Sequence, residues 1–355
     1  MALRSGPVGL VLVLVTGTLE ARQVPDTAVR RRPTALTDIV VSATRSSQQV
    51  GEVPANVTVL GERAMTSSAA QTVPGLLVRI PGFTSRDYQH PLLASAARSA
   101  PSFRGLGGTI AGRTLVLFDG IPLNEPFAGA VHWGRVPLTL VDRVEVVRGG
   151  GSMAWGSRAL GGVINIITRQ AEENQLDLTV EGGRFGTYRG AGSGTINNKR
   201  LRATAAASWE GTDGFQVIRP DQAGLVDVPS RSTERMVLGK VAYDFSPSWQ
   251  GYVAANYLDG WRVGPTAADS APATFGEVRA GARLVTQGGG VLNLSAYGNH
   301  RTGLVISTGV SADRAVEVPR SFQQSPSTGT GASAQWSQTT GRHSLTAGTD
   351  IASAS

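Results

Sequence analysis

From Gln175 to the end of the 355-residue chain, apolar and polar residues alternate with period two in one segment after another. Leu176, Leu178 and Val180 alternate with Asp177, Thr179 and Glu181, and Leu201, Ala203, Ala205, Ala207 and Trp209 alternate with Arg202, Thr204, Ser208 and Glu210. Val278, Ala280, Ala282 and Leu284 repeat the pattern against Glu277, Arg279 and Arg283, as do Leu345, Ala347 and Ile351 against Ser344, Thr346 and Asp350. Successive side chains of a strand point to opposite faces, so each segment reads as a strand with one apolar and one polar face. Nine are expected, at 175–184, 186–196, 201–210, 233–245, 249–259, 276–287, 291–302, 328–338 and 343–353. A soluble sheet would show the same alternation. The connections discriminate: tight ones at Asn197-Asn198, Ser246-Pro247-Ser248, Gly288-Gly289-Gly290 and Thr339-Thr340-Gly341 alternate with long ones near 211–232, 262–275 and 304–327. Short turns on one side and long loops on the other are the mark of a transmembrane β-barrel.

The start of the chain agrees with export. Residues 1–21 carry Arg4, an apolar run from Val8 to Val15 and small residues after it, the layout of a signal peptide; the run is far shorter than the ~20 residues of a spanning helix. No later stretch is apolar enough for such a helix, so entry into a membrane must be as a barrel. There are 45 glycines among 355 residues, nearly twice ordinary usage, which favours turns and strands over long helices. The chain lacks cysteine, which removes disulfides and thiol chemistry. The net charge of +7 invites a nucleic-acid reading, but the arginines are scattered singly, and the cluster Arg30-Arg31-Arg32 sits in a Pro-bearing lead-in; no nucleic acid is expected.

Between Ser102 and Arg169 the texture differs. Phe103-Arg104-Gly105 leads to the apolar run Thr114–Phe118 and a turn at Asp119-Gly120; two more runs, Val141–Val147 and Val163–Thr168, flank the glycine-rich bend Gly149–Gly151. These describe a small, tightly turned, mostly β domain. The stretch also resembles the plug domain of TonB-dependent outer-membrane receptors. Arg104-Gly105, Leu117-Phe118-Asp119-Gly120-Ile121-Pro122-Leu123, Val141-Asp142-Arg143-Val144-Glu145-Val146-Val147-Arg148-Gly149 and Gly161-Gly162-Val163-Ile164-Asn165-Ile166-Ile167-Thr168 follow that family's pattern in order. Gly150-Gly151 and Ala154-Trp155 depart from it conservatively. Upstream, Val53–Leu60 reads as an edge strand, Ser67–Val78 as a short helix, and Arg79-Ile80-Pro81-Gly82-Phe83 as the element that follows it in the family.

The resemblance implies a mainly β fold: a signal peptide (1–21), a periplasmic lead-in (22–49), a small α+β plug (50–170) and antiparallel barrel strands (171–355). Plugged transporters have about 22 strands, so the sequence is read as C-terminally truncated. Taken alone, Asp38, Ile39, Val40, Val41, Ser42, Ala43, Thr44 and Arg45 are an ordinary β-branched strand; within the family they match the TonB box, an extended and unpaired handle that adds to a partner's sheet through its main chain. Arg104 and Arg148 match plug arginines that the family holds against acidic residues of the barrel wall, carboxylates expected in the missing strands. The irregular loop with Arg86, Tyr88, His90 and Arg98 is either plain solvated loop or an apical site for an anionic, oxygen-rich chelate. The implied function is active transport of a scarce ligand: a ferric siderophore first, cobalamin or an oligosaccharide as alternatives. Its expected partners are the TonB protein, outer-membrane lipid and the extracellular ligand. A passive channel or surface-binding β protein, the reading from another class, would have neither plug nor handle. His90, His132, His300 and His343 fall in no ligand spacing, the glycine-rich pieces lack nucleotide signatures, and no nucleophile triad stands out, so no metal, no cofactor and no enzyme activity are expected.

Overall fold

The computed structural model describes residues 39–40, 45, 48–53, 55–85, 100–106, 113–125, 129–341 and 343–355. The contacts divide the chain into two units, Met1–Thr37 and Asp38–Ser355; all described residues lie in the second, and the expected signal peptide lies outside them.

The chain opens with the short strands β1 (Ile39–Val40) and β2 (Gln48–Gln49), which pair with each other. Then come β3 (Asn56–Leu60), α1 (Glu62–Thr66), α2 (Val73–Leu77), β4 (Phe83–Ser85), β5 (Pro101–Phe103), β6 (Thr114–Phe118), β7 (Ile121–Pro122), β8 (Val141–Arg148), α3 (Ser152–Trp155) and β9 (Gly162–Thr168). Strands β3, β8, β9, β6 and β7 form a five-stranded sheet in that order, with β6 and β9 parallel. All five residues of β6 are buried, as a parallel strand covered on both faces requires. Asp119 (φ 51°) and Gly120 (φ 81°) join β6 to β7 in a two-residue hairpin of the I′ kind, the turn that the Asp-Gly pair predicts. Gly162, at φ 144°, admits no other residue: a Cβ there would lie 2.4 Å from the Val147 carbonyl.

The second architecture is a wall of long antiparallel strands: β10 (Gln175–Gly182), β11 (Tyr188–Asn198), β12 (Leu201–Phe215), β13 (Ser230–Ser246), β14 (Trp249–Val263), β15 (Ala273–Val285), β16 (Val291–Val310), β17 (Glu317–Gln324), β18 (Ser327–Thr340) and β19 (His343–Ala354). Strands β10 to β16 each pair with the next, β16 pairs with β18 and β18 with β19, and β17 pairs with the far half of β16. The nine expected strands are all present, several extended at the long-loop end. β17 was not expected: it has no clean alternation and contains Pro319, tolerated because the register shifts between Ser307 and Thr308 opposite it. The expected helix over Ser67–Val78 shrinks to α2, capped by Thr72, whose hydroxyl accepts the Gly75 N–H at 3.4 Å. No helix among the described residues is long and apolar enough to cross a membrane, which says nothing of strands.

The wall's outward face is mostly apolar, with Leu178, Val237, Val241, Val253, Val278 and Ile351 all exposed. Its inward face is not uniformly polar. Ala206, Met236, Leu238, Leu258 and Phe275 join Val116, Phe118, Ile164, Ile166, Val144 and Val146 of the inner sheet, and Leu76 and Leu77 of α2, in one buried cluster. The small sheet is thus seated against the wall, and burial of these side chains at about 1.5–3 kcal/mol each holds it there.

Candidate functional site

Where the inner sheet meets the wall, charges are buried in pairs. Arg135 is 1% exposed and Glu277 of β15 is 2% exposed, and the guanidinium donates to the carboxylate at 2.5 Å. The same guanidinium donates to the Leu123 carbonyl at 3.1 Å and lies 3.5 Å over the Phe275 ring. Arg279 reaches the Phe118 carbonyl at 3.2 Å and stacks on its ring, and Arg301 pairs with Glu125 at 3.1 Å. Asp119, in the β6–β7 turn, accepts from Lys240 at 3.1 Å and from the Thr168 N–H at 2.8 Å, with Arg279 3.7 Å away. Burial alone would raise the Asp119 carboxyl, but Lys240, Arg279 and the Thr168 hydrogen bonds outweigh it and hold it below the usual carboxylate value. Burial also pulls Arg135 down to about 10 against the pull of Glu277. It takes His132, helped by Arg301 and Arg135, down to about 3, so this imidazole is neutral.

Two cavities flank this seam at opposite ends of the wall. One, of about 590 Å³, opens at the long-loop end between residues 68–74 and 131–139 of the inner domain and the wall. Trp133 lines it, together with Glu181, Glu210 and Glu234 and three arginines. Every one of those arginines is compensated: Arg189 by Glu210 at 2.7 Å, Arg262 by Asp269 at 3.7 Å and Arg301 by Glu125. Above, the long connections are tied together. Asp227 binds the Arg314 guanidinium through two hydrogen bonds, Thr266 bonds Thr308 at 3.0 Å, and the Ala268 N–H donates to Glu317 at 3.2 Å. The Arg314 bonds hold Asp227 below the usual carboxylate value.

The other cavity, of about 660 Å³, lies at the short-turn end and is lined by Arg45, Asp119, Trp155, Arg202, Lys240 and Asp350 among others. Arg45 stacks 4.0 Å above the Trp155 ring, pairs with Asp350 of β19 at 2.7 Å, and offers its carbonyl to the Gln335 amide.

Of the expected handle, Ile39 and Val40 are strand, but paired with Gln49 and Gln48 rather than unpaired; Asp38, Val41, Ser42, Ala43 and Thr44 lie outside the described residues, as do Arg86, Tyr88, His90 and Arg98. Arg104 and Arg148 do not hold the wall among the described residues. Arg104 is exposed in a tight turn at φ 54°, and Arg148 spends its guanidinium inside the inner domain, on the Pro81 carbonyl and Asn56. The described seam runs through Asp119, Glu125 and Arg135 on one side and Lys240, Glu277, Arg279 and Arg301 on the other. The available signal was Glu277 and Arg279 two residues apart on the polar face of a strand. Asp119 gave none beyond a turn.

Residues 49–163 match the family model described as the TonB-dependent receptor plug domain. The vitamin B12 transporter BtuB of Vibrio cholerae is 30% identical over 220 residues, 61% of this chain and 34% of that protein. The chain carries the plug domain of the TonB-dependent receptors. Its small sheet is the plug and its wall is barrel, and it is an outer-membrane protein of the Gram-negative kind. The ferripyoverdine receptor of the outer membrane of Pseudomonas aeruginosa shares the fold at 17% identity, TM-score 0.70, over 89% of this chain and 44% of that one. The siderophore receptor PirA from Acinetobacter baumannii does so at 15% identity, TM-score 0.65, over 84% and 48%. The chain thus spans about a third of the length of the curated relative named above. The family consists of transport receptors, not enzymes, that bind extracellular ligands.

Proposed function

We propose that this protein is the receptor of an active-transport system: it binds a scarce ligand on the long-loop side, is not itself an enzyme, and takes its energy from a TonB protein that engages residues 38–45. The observation that carries the reading is the polarity of the molecule. The ligand-sized cavity under the tied loops and Arg45 lie at opposite ends of the same plug. Work delivered at one end must cross the plug to reach the other. Plug and wall are held by an apolar cluster and by buried ion pairs, and the ion pairs are directional.

The described cavity best suits a large, neutral, hydrogen-bonding ligand of the corrinoid class. Its arginines are already paired, which leaves the face of Trp133 and the Glu234 carboxyl group, for which no described hydrogen bond or ion pair exists, to meet the ligand. The similarity to vitamin B12 transporters supports the same class. A ferric siderophore is the second reading, favoured by the cations and ring donors of Arg86, Tyr88, His90 and Arg98. Binding titrations of the full-length receptor with cyanocobalamin and with ferric siderophores separate the two. Tight corrinoid binding that weakens on Trp133→Ala supports the first. Tight chelate binding that Arg86→Gln with Arg98→Gln weakens in a salt-dependent way supports the second.

A further inference from the structure

The outward face of the wall is lipid-facing, yet two guanidinium groups stand on it. On β13 the outward positions run Arg231, Thr233, Arg235, Val237, Gly239, Val241, Tyr243 and Phe245, and both arginines are exposed. Among the described residues neither has an ion pair or a side-chain hydrogen bond, although Asp259 stands opposite Arg235 in the register. Their neighbours are aromatic: Trp209 is the cross-strand partner of Arg235 on the other side, and Arg231 lies 5.2 Å over the Trp261 ring.

Their height on the wall identifies what they meet. From Arg235 to Phe245 is ten residues, roughly 33 Å along a strand and roughly 24 Å along the membrane normal at a tilt of about 45°. That is the height of the apolar band of an outer-membrane barrel, about 25 Å. Phe245, Tyr243 and Trp249, packed ring on ring, mark its lower border, and Trp209 with Tyr188 marks the upper one. Arg235 therefore sits at the upper edge of the hydrocarbon, and Arg231 above it, at the level of the headgroups on the long-loop side. At that level the abundant group able to satisfy an unpaired guanidinium is a lipid phosphate, which Arg binds in bidentate fashion.

We propose that Arg231 and Arg235, framed by Trp209 and Trp261, form a docking surface on the outer wall for a phosphorylated lipid of the outer leaflet. The surface is separate from the ligand cavity, which lies on the other face of the same strands. The test uses the receptor extracted from outer membranes in mild detergent and titrated with lipid A and with its dephosphorylated form, read by native mass spectrometry. The wild type is expected to prefer the phosphorylated lipid. Arg231→Gln with Arg235→Gln is expected to lose that preference, at roughly fivefold per arginine, more at low salt than at high. Arg219→Gln, in a loop where Arg219 pairs with Asp221, is expected to change nothing. Asp259→Asn, which removes the acid opposite Arg235, is expected to tighten binding and keeps the test decisive should the double variant fail to fold. Equal retention of both lipids by the wild type, no response to Asp259→Asn, or displacement of the lipid by equimolar inorganic phosphate overturns the proposal.

Discussion

At the scale of single residues, the account rests on charges placed where water is absent. Asp119 is a β-turn aspartate whose side chain holds the turn to β9 through Thr168 and the plug to the wall through Lys240. Asp119→Asn keeps the shape but leaves Lys240 and Arg279 facing an uncharged amide, and is expected to cost about 3 kcal/mol in denaturant unfolding. Because the folded carboxyl lies below its ordinary 3.8, its contribution is complete above that pH and is lost as pH falls through the lower folded value. The variant should therefore lose the acid limb of the stability profile below about pH 4. His132 acts in a higher window. Its ordinary value of 6.5 falls to about 3, so the unfolded chain takes up a proton that the folded one refuses, and stability declines as pH falls from 6.5 toward 3. His132→Phe is expected to be more stable than the wild type at pH 5 by about 2 kcal/mol and level with it at pH 8. Thermal unfolding across this range checks both. Gly162→Ala is expected to destabilise the plug by more than the 1–3 kcal/mol of ordinary backbone strain, since a carbonyl stands in the way. The glycine was legible in the sequence as part of a motif; its reason, the close approach of β8, was not.

At the scale of elements, period two was a faithful guide because every wall strand has lipid on one side. Alternation fixes which residues face out, and it did so for β10 to β16 and for β18, whereas both faces of β19 are exposed. It does not say what the other face meets. Met236, Leu238 and Phe275 are apolar residues on the inward face, explicable only by the plug that packs on them. β17 escaped because a hairpin above the apolar band has no lipid to impose a pattern, and the short helix α1 because five residues are too few for a 3.6-residue period to declare itself. The loop clasp is testable at this scale. Asp227→Ala removes both hydrogen bonds to Arg314 and the one to the Gly224 N–H, and is expected to expose the 216–229 and 311–316 connections to limited proteolysis while the strands resist. Unchanged cleavage would mean that Thr266, Thr308 and Glu317 suffice.

At the scale of the whole molecule, the plug was recognisable from its run of motifs and the barrel from its loop asymmetry, but their joint was not. Residues that meet across it are separated by more than a hundred positions, as Arg135 and Glu277 are, and no local pattern links them. Nor did the sequence indicate that the handle folds back: Ile39 and Val40 pair with Gln49 and Gln48, and Arg45 is clamped between Trp155 and Asp350. A partner strand must displace that pairing before it can pull. The central claim is that force enters at residues 38–45 and is needed for transport but not for binding. It is tested most directly by comparing ligand binding at the cell surface with ligand uptake in cells carrying the full-length receptor, wild type or Val40→Pro, which removes a main-chain donor from the handle. The account predicts surface binding within the wild-type range and uptake reduced to background, with a cysteine placed at Val41 cross-linking to TonB in the wild-type background. Uptake at the wild-type rate in the Val40→Pro receptor would contradict it.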